Sequence, residues 1–221
     1  MPRTNRASVG RLCYHVLSRG NNRAEVFHKP EDYDSFLATA VEACQVRPMR
    51  VLAYCVLPNH FHMVLWPVRD GDLSRWMQWL LTAQVRRYHR DYGTSGHVWE
   101  GRFKAFPIQA DEHLLAVLRY VEHNPVRADL VKQAEDWRWS SLGFWAHRAT
   151  LLEPHPGPIE RGRNWVKRVN TPIPAADLQT IRHSVVRGAP LGAEPWVART
   201  AARLGLQASL RPRGRPRIHP K

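Results

Sequence analysis

Arg50-Val51-Leu52-Ala53-Tyr54-Cys55-Val56-Leu57-Pro58-Asn59-His60-Phe61-His62-Met63-Val64-Leu65-Trp66 is the stretch that decides the fold. Residues 50–57 are rich in Val, Leu and Tyr, side chains that pack well on a pleated surface. Pro58-Asn59 breaks that run, since proline lacks an N–H and asparagine tolerates turn conformations. Residues 60–66 are strand-like again, so the two runs are expected to close as a hairpin. Outward on the N-terminal side, residues 12–18 read as a strand, followed by the polar loop Arg19-Gly20-Asn21-Asn22-Arg23. Residues 32–46 read as a helix, with acidic residues in the first turn and Phe36, Leu37, Ala40, Val41 and Cys44 on one side. Outward on the other side, residues 73–92 form a long helix with a wet face of Arg86, Arg87 and Arg90. Residues 99–108 read as a fourth strand bent at Gly101, and residues 112–123 as a helix that Asn124-Pro125 ends. The order β-α-β-β-α-β-α predicts an α+β fold, a ferredoxin-like or RRM-like antiparallel sheet with helices. Residues 137–145, with Trp137, Trp139 and Trp145, are expected to cap its core.

Beyond this block the composition changes. Residues 150–177 are rich in Pro, Gly and Arg and read as a linker. Residues 178–186 and 194–204 then form two short helices, loosely helix-turn-helix in outline, with Pro195 suited to a first turn. Residues 178–221 are thus a basic helical extension ending in Arg211-Pro212-Arg213-Gly214-Arg215-Pro216-Arg217. The chain of 221 residues carries 33 Lys and Arg against 19 Asp and Glu, a formal charge of +14. From residue 155 onward there are 13 basic and 3 acidic residues, so most of the excess lies in the C-terminal third. A cation of this size points to a polyanion, with nucleic acid as the expected partner. No run of apolar residues is long enough to span a bilayer, and no signal-peptide-like stretch follows Met1. Cys13, Cys44 and Cys55 form neither a zinc pattern nor a disulfide framework. The expected location is the cytoplasm, at the nucleoid.

Chemistry enters at His60-Phe61-His62. A strand has period two, so both imidazoles project to one face and Phe61 to the other. Two neutral imidazoles one pleat apart can share a divalent ion, or can equally be solvated or stack on a base. Tyr120 and Asn124 lie four apart on a helix and share a face. A tyrosine can attack a phosphodiester if something offsets its pKa of about 10, and a metal on the phosphate does so from the electrophile side. Asn124 offers a carbonyl oxygen one turn on. Spacing alone leaves Tyr120 open between nucleophile and core aromatic.

Leu57-Pro58-Asn59-His60-Phe61-His62-Met63-Val64 and Tyr120-Val121-Glu122-His123-Asn124-Pro125-Val126-Arg127-Ala128, taken together, resemble the REP-associated tyrosine transposases, bacterial relatives of the single-tyrosine HUH insertion-sequence transposases. Ser18-Arg19-Gly20-Asn21-Asn22-Arg23 and Trp99-Glu100-Gly101-Arg102-Phe103-Lys104 belong to the same resemblance. It implies a catalytic domain over residues 1–149 that nicks and joins single-stranded or hairpin DNA. It implies Mg²⁺ or Mn²⁺ and no organic cofactor. Residue by residue, it implies His60, His62 and Asn124 as metal ligands and Tyr120 as the nucleophile that forms a 5′-phosphotyrosine. It leaves monomer and homodimer both open.

Charge and aromaticity add DNA-contact candidates. Arg102 and Lys104 alternate about Phe103, so on a strand they would share a face and meet phosphates. Arg19, Asn21, Asn22 and Arg23 have the chemistry for unpaired base edges. Arg213 and Arg215 resemble an AT-hook core for a narrow minor groove. Two other functions compete. A non-catalytic RRM-like binding module would keep the cations and aromatics without needing His60, His62 and Tyr120 together. A histidine-triad hydrolase would need a third His where Val64 stands.

Overall fold

In the computed structural model, which describes residues 8–211, β1 (Cys13–Arg19) lies inside a four-stranded sheet. β2 (Met49–Leu57), β3 (His60–Pro67) and β4 (Lys104–Ile108) complete it in the order β2-β3-β1-β4, every pair antiparallel. With α1 (Pro30–Val46) between β1 and β2 and α2 (Asp72–Tyr92) between β3 and β4, this is the ferredoxin-like arrangement. α1 begins two residues before the expected start. Pro30 supplies a first-turn residue with no orphan N–H, and Asp32 accepts from the backbone N–H groups of His28 and Lys29.

Side chains alternate across the sheet. Tyr14, Val16, Tyr54, Val56, Phe61, Met63 and Leu65 face α1 and α2 in one apolar core. Cys13, Cys55, Leu57, Val64, Phe106 and Ile108 face α3 (Glu112–Glu122) in a second. Asp111 caps α3 by accepting from the His113 N–H at 2.9 Å. A short turn, α4 (Asn124–Arg127), follows the break at His123. Pro125 has no N–H to give the Val121 carbonyl. The Asn124 side-chain amide donates there instead at 3.3 Å, and to the Tyr120 carbonyl at 2.9 Å.

Two expectations change. The fourth strand starts at Lys104 rather than at residue 99. Gly101 adopts φ +104°, outside the strand region for side-chain-bearing residues, and the chain leaves the ladder there. That detour buries Trp99 and Phe103 in the α1–α2 core, with Trp99 against Phe61 at 5.5 Å. Arg102 therefore lies off the strand and does not share a strand face with Lys104. The second change concerns residues 150–177, which are not a bare linker. They carry α6 (Trp165–Asn170), which follows the short α5 (Leu142–Trp145), and they bury Leu152, Trp165 and Val169. Arg161 lies 4.4 Å from the Trp145 ring and donates to the Leu52 carbonyl at 2.6 Å.

Both sheet edges are covered, which removes exposed ladder groups. Over β2, Ser141 N–H donates to the Tyr54 carbonyl at 2.9 Å and Trp137 Nε1 to the Val56 carbonyl at 2.8 Å. Residues 137–145 thus cap the core as expected. Over β4, Leu191 exchanges backbone bonds with Pro107 and Gln109 at 2.9 and 2.8 Å. α7 (Ala175–Arg187) buries Ile181 and Ser184 beside it, and α8 (Glu194–Leu204) and α9 (Gln207–Leu210) follow. Among the described residues no helix is long and apolar enough to cross a membrane. Arg213 and Arg215 lie outside the described residues.

Candidate active site

The strand register builds the site in rows. His62 pairs with Cys55 on one side and Leu17 on the other, and Leu17 pairs with Lys104. One pleat along, His60 pairs with Leu57 and Arg19. The two imidazoles, Lys104 and Arg19 therefore share the face that α3 covers.

The His60 and His62 ring centroids are 5.0 Å apart, and the Tyr120 ring stands edge-on to His62 at 5.8 Å. His60, His62 and Tyr120 thus converge, while Asn124 is joined to the Tyr120 carbonyl by its side-chain amide and to Arg127, whose charge acts on both histidines. Asn59 Oδ1 accepts from His60 Nδ1 at 2.6 Å, while Asn59 Nδ2 donates to the Arg23 carbonyl at 3.1 Å. A carboxamide oxygen only accepts, so the His60 proton sits on Nδ1 and the Nε2 lone pair is free. Burial, then the charges of Arg127 and Arg19, holds His60 down to about 4. Burial holds His62 well below its ordinary value too, with His15, His60 and Arg127 adding to it. Both rings are neutral near pH 7, the form that binds metal.

His15 is the residue sequence reasoning missed. It is fully buried, and its Nε2 lies 2.9 Å from His62 Nδ1. Its ring stacks on His62 at 5.0 Å and meets Tyr120 edge-on at 6.0 Å. Burial, then Arg127, pushes it down to about 3, so it too is neutral. Two tautomers satisfy this contact, and the one in which His15 Nε2 accepts puts the His62 proton on Nδ1 and leaves the His62 Nε2 lone pair open to a cation. A histidine inside an otherwise apolar strand was the available signal, but its partner is 47 residues away.

The set of two neutral imidazoles and one carboxamide oxygen suits a hard-to-borderline divalent ion with places left for phosphate oxygens. Asn124 Oδ1 at present accepts from Arg127, whose guanidinium lies 4.6 Å from the Tyr120 ring centroid. Among the described residues no hydrogen bond engages the Tyr120 hydroxyl. A second group of metal-type side chains, Asp111, Glu112 and His113, occurs at the start of α3. Asp111 is occupied there with capping and with His113 Nδ1 at 2.8 Å, and Glu112 is exposed.

The described DNA-contact candidates lie at the end of β1, in the turn after it and at or just before the start of β4. Arg19 pairs with Glu100 at 2.8 Å. Asn21, Asn22 and Arg23 form an exposed 3-10 turn that the Asn59 amide ties to the β2–β3 turn. Gly20 precedes it because a Cβ there would sit 2.1 Å from the Ala24 carbonyl oxygen. Arg102 and Lys104, although not on one strand face, line one cleft with Arg19, Val185 and Val186 of α7.

A family model described as "Transposase IS200 like" matches residues 8–124, from the start of the described chain to Asn124. A Haemophilus influenzae relative carrying the REP-associated tyrosine transposase name is 28% identical over 137 residues, 57% of this chain and 75% of that protein. The REP-associated tyrosine transposase of Escherichia coli (strain K12) is 24% identical over 136 residues, 60% of this chain and 77% of that one. A solved REP-associated tyrosine transposase bound to a REP hairpin shares the fold, with a TM-score of 0.56 at 23% identity. That match covers 67% of this chain and 87% of the solved one.

Proposed function

Because the chain belongs to the IS200-like transposase family, we propose that it cuts and rejoins single-stranded DNA beside a hairpin, with Tyr120 as nucleophile and a divalent ion held by His60, His62 and Asn124. The observation that carries this reading is the Tyr120 ring edge-on to His62 at 5.8 Å, its hydroxyl uncommitted to any described partner. The hairpin substrate is suggested by the solved relative, which holds a REP hairpin.

When bound, Mg²⁺ or Mn²⁺ would supply Lewis-acid polarisation of the scissile phosphate. Tyr120 Oη attacks phosphorus in line and forms the new O–P bond. Its proton passes to water, the bond to the 3′ oxygen breaks, and that oxygen takes up a proton as a free 3′-OH. The 5′-phosphotyrosine keeps a phosphodiester's worth of energy, so another 3′-OH can displace Tyr120 and rejoin strands without ATP. Asn59 and His15 act as positioning residues that hold His60 and His62 in the ligand tautomer. Arg19, Asn21, Asn22 and Arg23 read unpaired bases at the β2–β3 turn, and Arg102 and Lys104 hold backbone phosphates in the cleft against α7. The basic run with Arg213 and Arg215 adds sequence-independent affinity.

The test incubates the full chain with single-stranded DNA from its own flanking genomic repeats and Mn²⁺. A covalent protein–DNA adduct on a denaturing gel is the expected result. Tight binding with no adduct would favour the non-catalytic module.

A further inference from the structure

Arg127 touches both Tyr120 and Asn124 and has no acidic partner among the described residues. It is exposed, whereas Asn124 beneath it is 1% exposed. Among the described residues no carboxylate lies within ion-pair distance of it. Its guanidinium is instead spent on the Tyr120 ring and on Asn124 Oδ1. Asn124 has no second oxygen to offer, and its amide nitrogen is fixed by the Tyr120 and Val121 carbonyls. An oxygen shared by a guanidinium and a divalent ion would bring the two charges to within about 5 Å, one ligand length plus one hydrogen bond.

We propose that Arg127 gates the metal: in the DNA-free protein it is the resident cation on Asn124 Oδ1, and a DNA phosphate draws it off and so opens that ligand. The inference rests on the reading of His60, His62 and Asn124 as metal ligands. The exchange follows from preference, because a guanidinium forms charge-assisted, often bidentate bonds to phosphate and only a neutral bond to a carboxamide. It makes metal loading and DNA binding mutually favourable, each raising the affinity for the other by the same factor. A single and a double positive charge about 5 Å apart near a wet surface repel by enough to weaken binding on the order of tenfold.

The experiment titrates Mn²⁺ into the full chain and reads free Mn²⁺ by electron paramagnetic resonance, with and without a hairpin oligonucleotide from the flanking repeats. Wild type is compared with Arg127→Gln, Arg127→Lys and, as the ligand control, His62→Ala. Without DNA, Arg127→Gln is expected to bind Mn²⁺ about tenfold more tightly than wild type, and Arg127→Lys to stay near wild type. Adding the hairpin should then raise Mn²⁺ affinity more for wild type than for Arg127→Gln. Equal or weaker Mn²⁺ binding by Arg127→Gln without DNA would overturn the gate while leaving the metal reading intact. Mn²⁺ binding that survives His62→Ala, or is absent from wild type and Arg127→Gln alike, would overturn the metal reading and the gate with it.

Discussion

Phe61 and His62 are neighbours in the chain and lie on opposite faces of one sheet, and the two faces do different work. Phe61 is fully buried in the core under α1 and α2, in ring contact with Phe36 at 4.9 Å and Trp99 at 5.5 Å. That face is apolar almost throughout. His62 looks the other way, into a layer where the rings of His15, His60 and Tyr120 surround it and Val64, Phe106 and Val117 are buried. Placing three imidazoles in a buried layer opposes their protonation, and that keeps their lone pairs available. The comparison teaches that the parity of a residue's position on a strand decides whether it joins the apolar core under α1 and α2 or the mixed layer under α3 that holds the histidines.

The widest gap between the faces should appear at that neighbouring pair. Phe61→Ala is expected to cost about 3–5 kcal/mol of stability through a buried cavity. His62→Ala should instead abolish DNA cleavage and Mn²⁺ binding. Chemical denaturation and adduct formation, measured on both variants, check this. Equal stability losses would erase the distinction between the faces.

The chemical face also depends on the C-terminal segment. Trp165 Nε1 donates to the buried Glu122 carboxylate at 2.6 Å, beside Ser141 Oγ at 2.7 Å. Trp165→Phe leaves that carboxylate one donor short, at about 1–3 kcal/mol. Truncation after residue 150 should cost cooperative folding outright, because it also uncovers β4. Truncation after residue 211 keeps every described residue of the C-terminal segment. It removes four Lys and Arg, so it should flatten the plot of log affinity against log salt by up to about 0.7 per lost phosphate contact on single strands.

His15 sharpens the comparison further, since it is a chemical-face residue that touches no substrate in the mechanism above. His15→Leu should weaken Mn²⁺ binding about 10–100-fold, with His15→Gln restoring part of it through a side-chain acceptor. Unchanged Mn²⁺ affinity in His15→Leu would reduce His15 to a packing role.

The same buried imidazoles also set how stability depends on pH. His15 is held to about 3 and His60 to about 4, against an ordinary 6.5, so the folded state refuses protons that the unfolded chain accepts. Above pH 6.5 both states are neutral there and nothing is lost. From pH 6.5 down towards 4 the unfolded state gains, so stability should fall as pH falls, by at most about 1.4 kcal/mol per pH unit for His15. Melting temperatures measured with chelator present should show a shallower decline for His15→Gln than for wild type.

The sequence exposed the paired strands, the period-two histidines and the Tyr120–Asn124 spacing because each depends on local periodicity. It misplaced the fourth strand because Trp99 and Phe103 are good strand residues, whereas Gly101 and core burial decide the path. It misread residues 150–177 because Pro, Gly and Arg also suit a segment that wraps a core, as Arg161 does between Trp145 and Trp165. His15 carried no spacing cue, and the contacts of Arg127 with Tyr120 and Asn124 exist only once α3 and α4 are folded.

The most direct test of the central claim locates the covalent bond. Wild-type and Tyr120→Phe protein are incubated with hairpin-flanked single-stranded DNA and Mn²⁺, digested, and analysed by mass spectrometry. The account predicts a nucleotide adduct on the peptide containing Tyr120, absent from Tyr120→Phe and absent when chelator replaces Mn²⁺. An adduct on another residue, or one that persists in Tyr120→Phe, would contradict it.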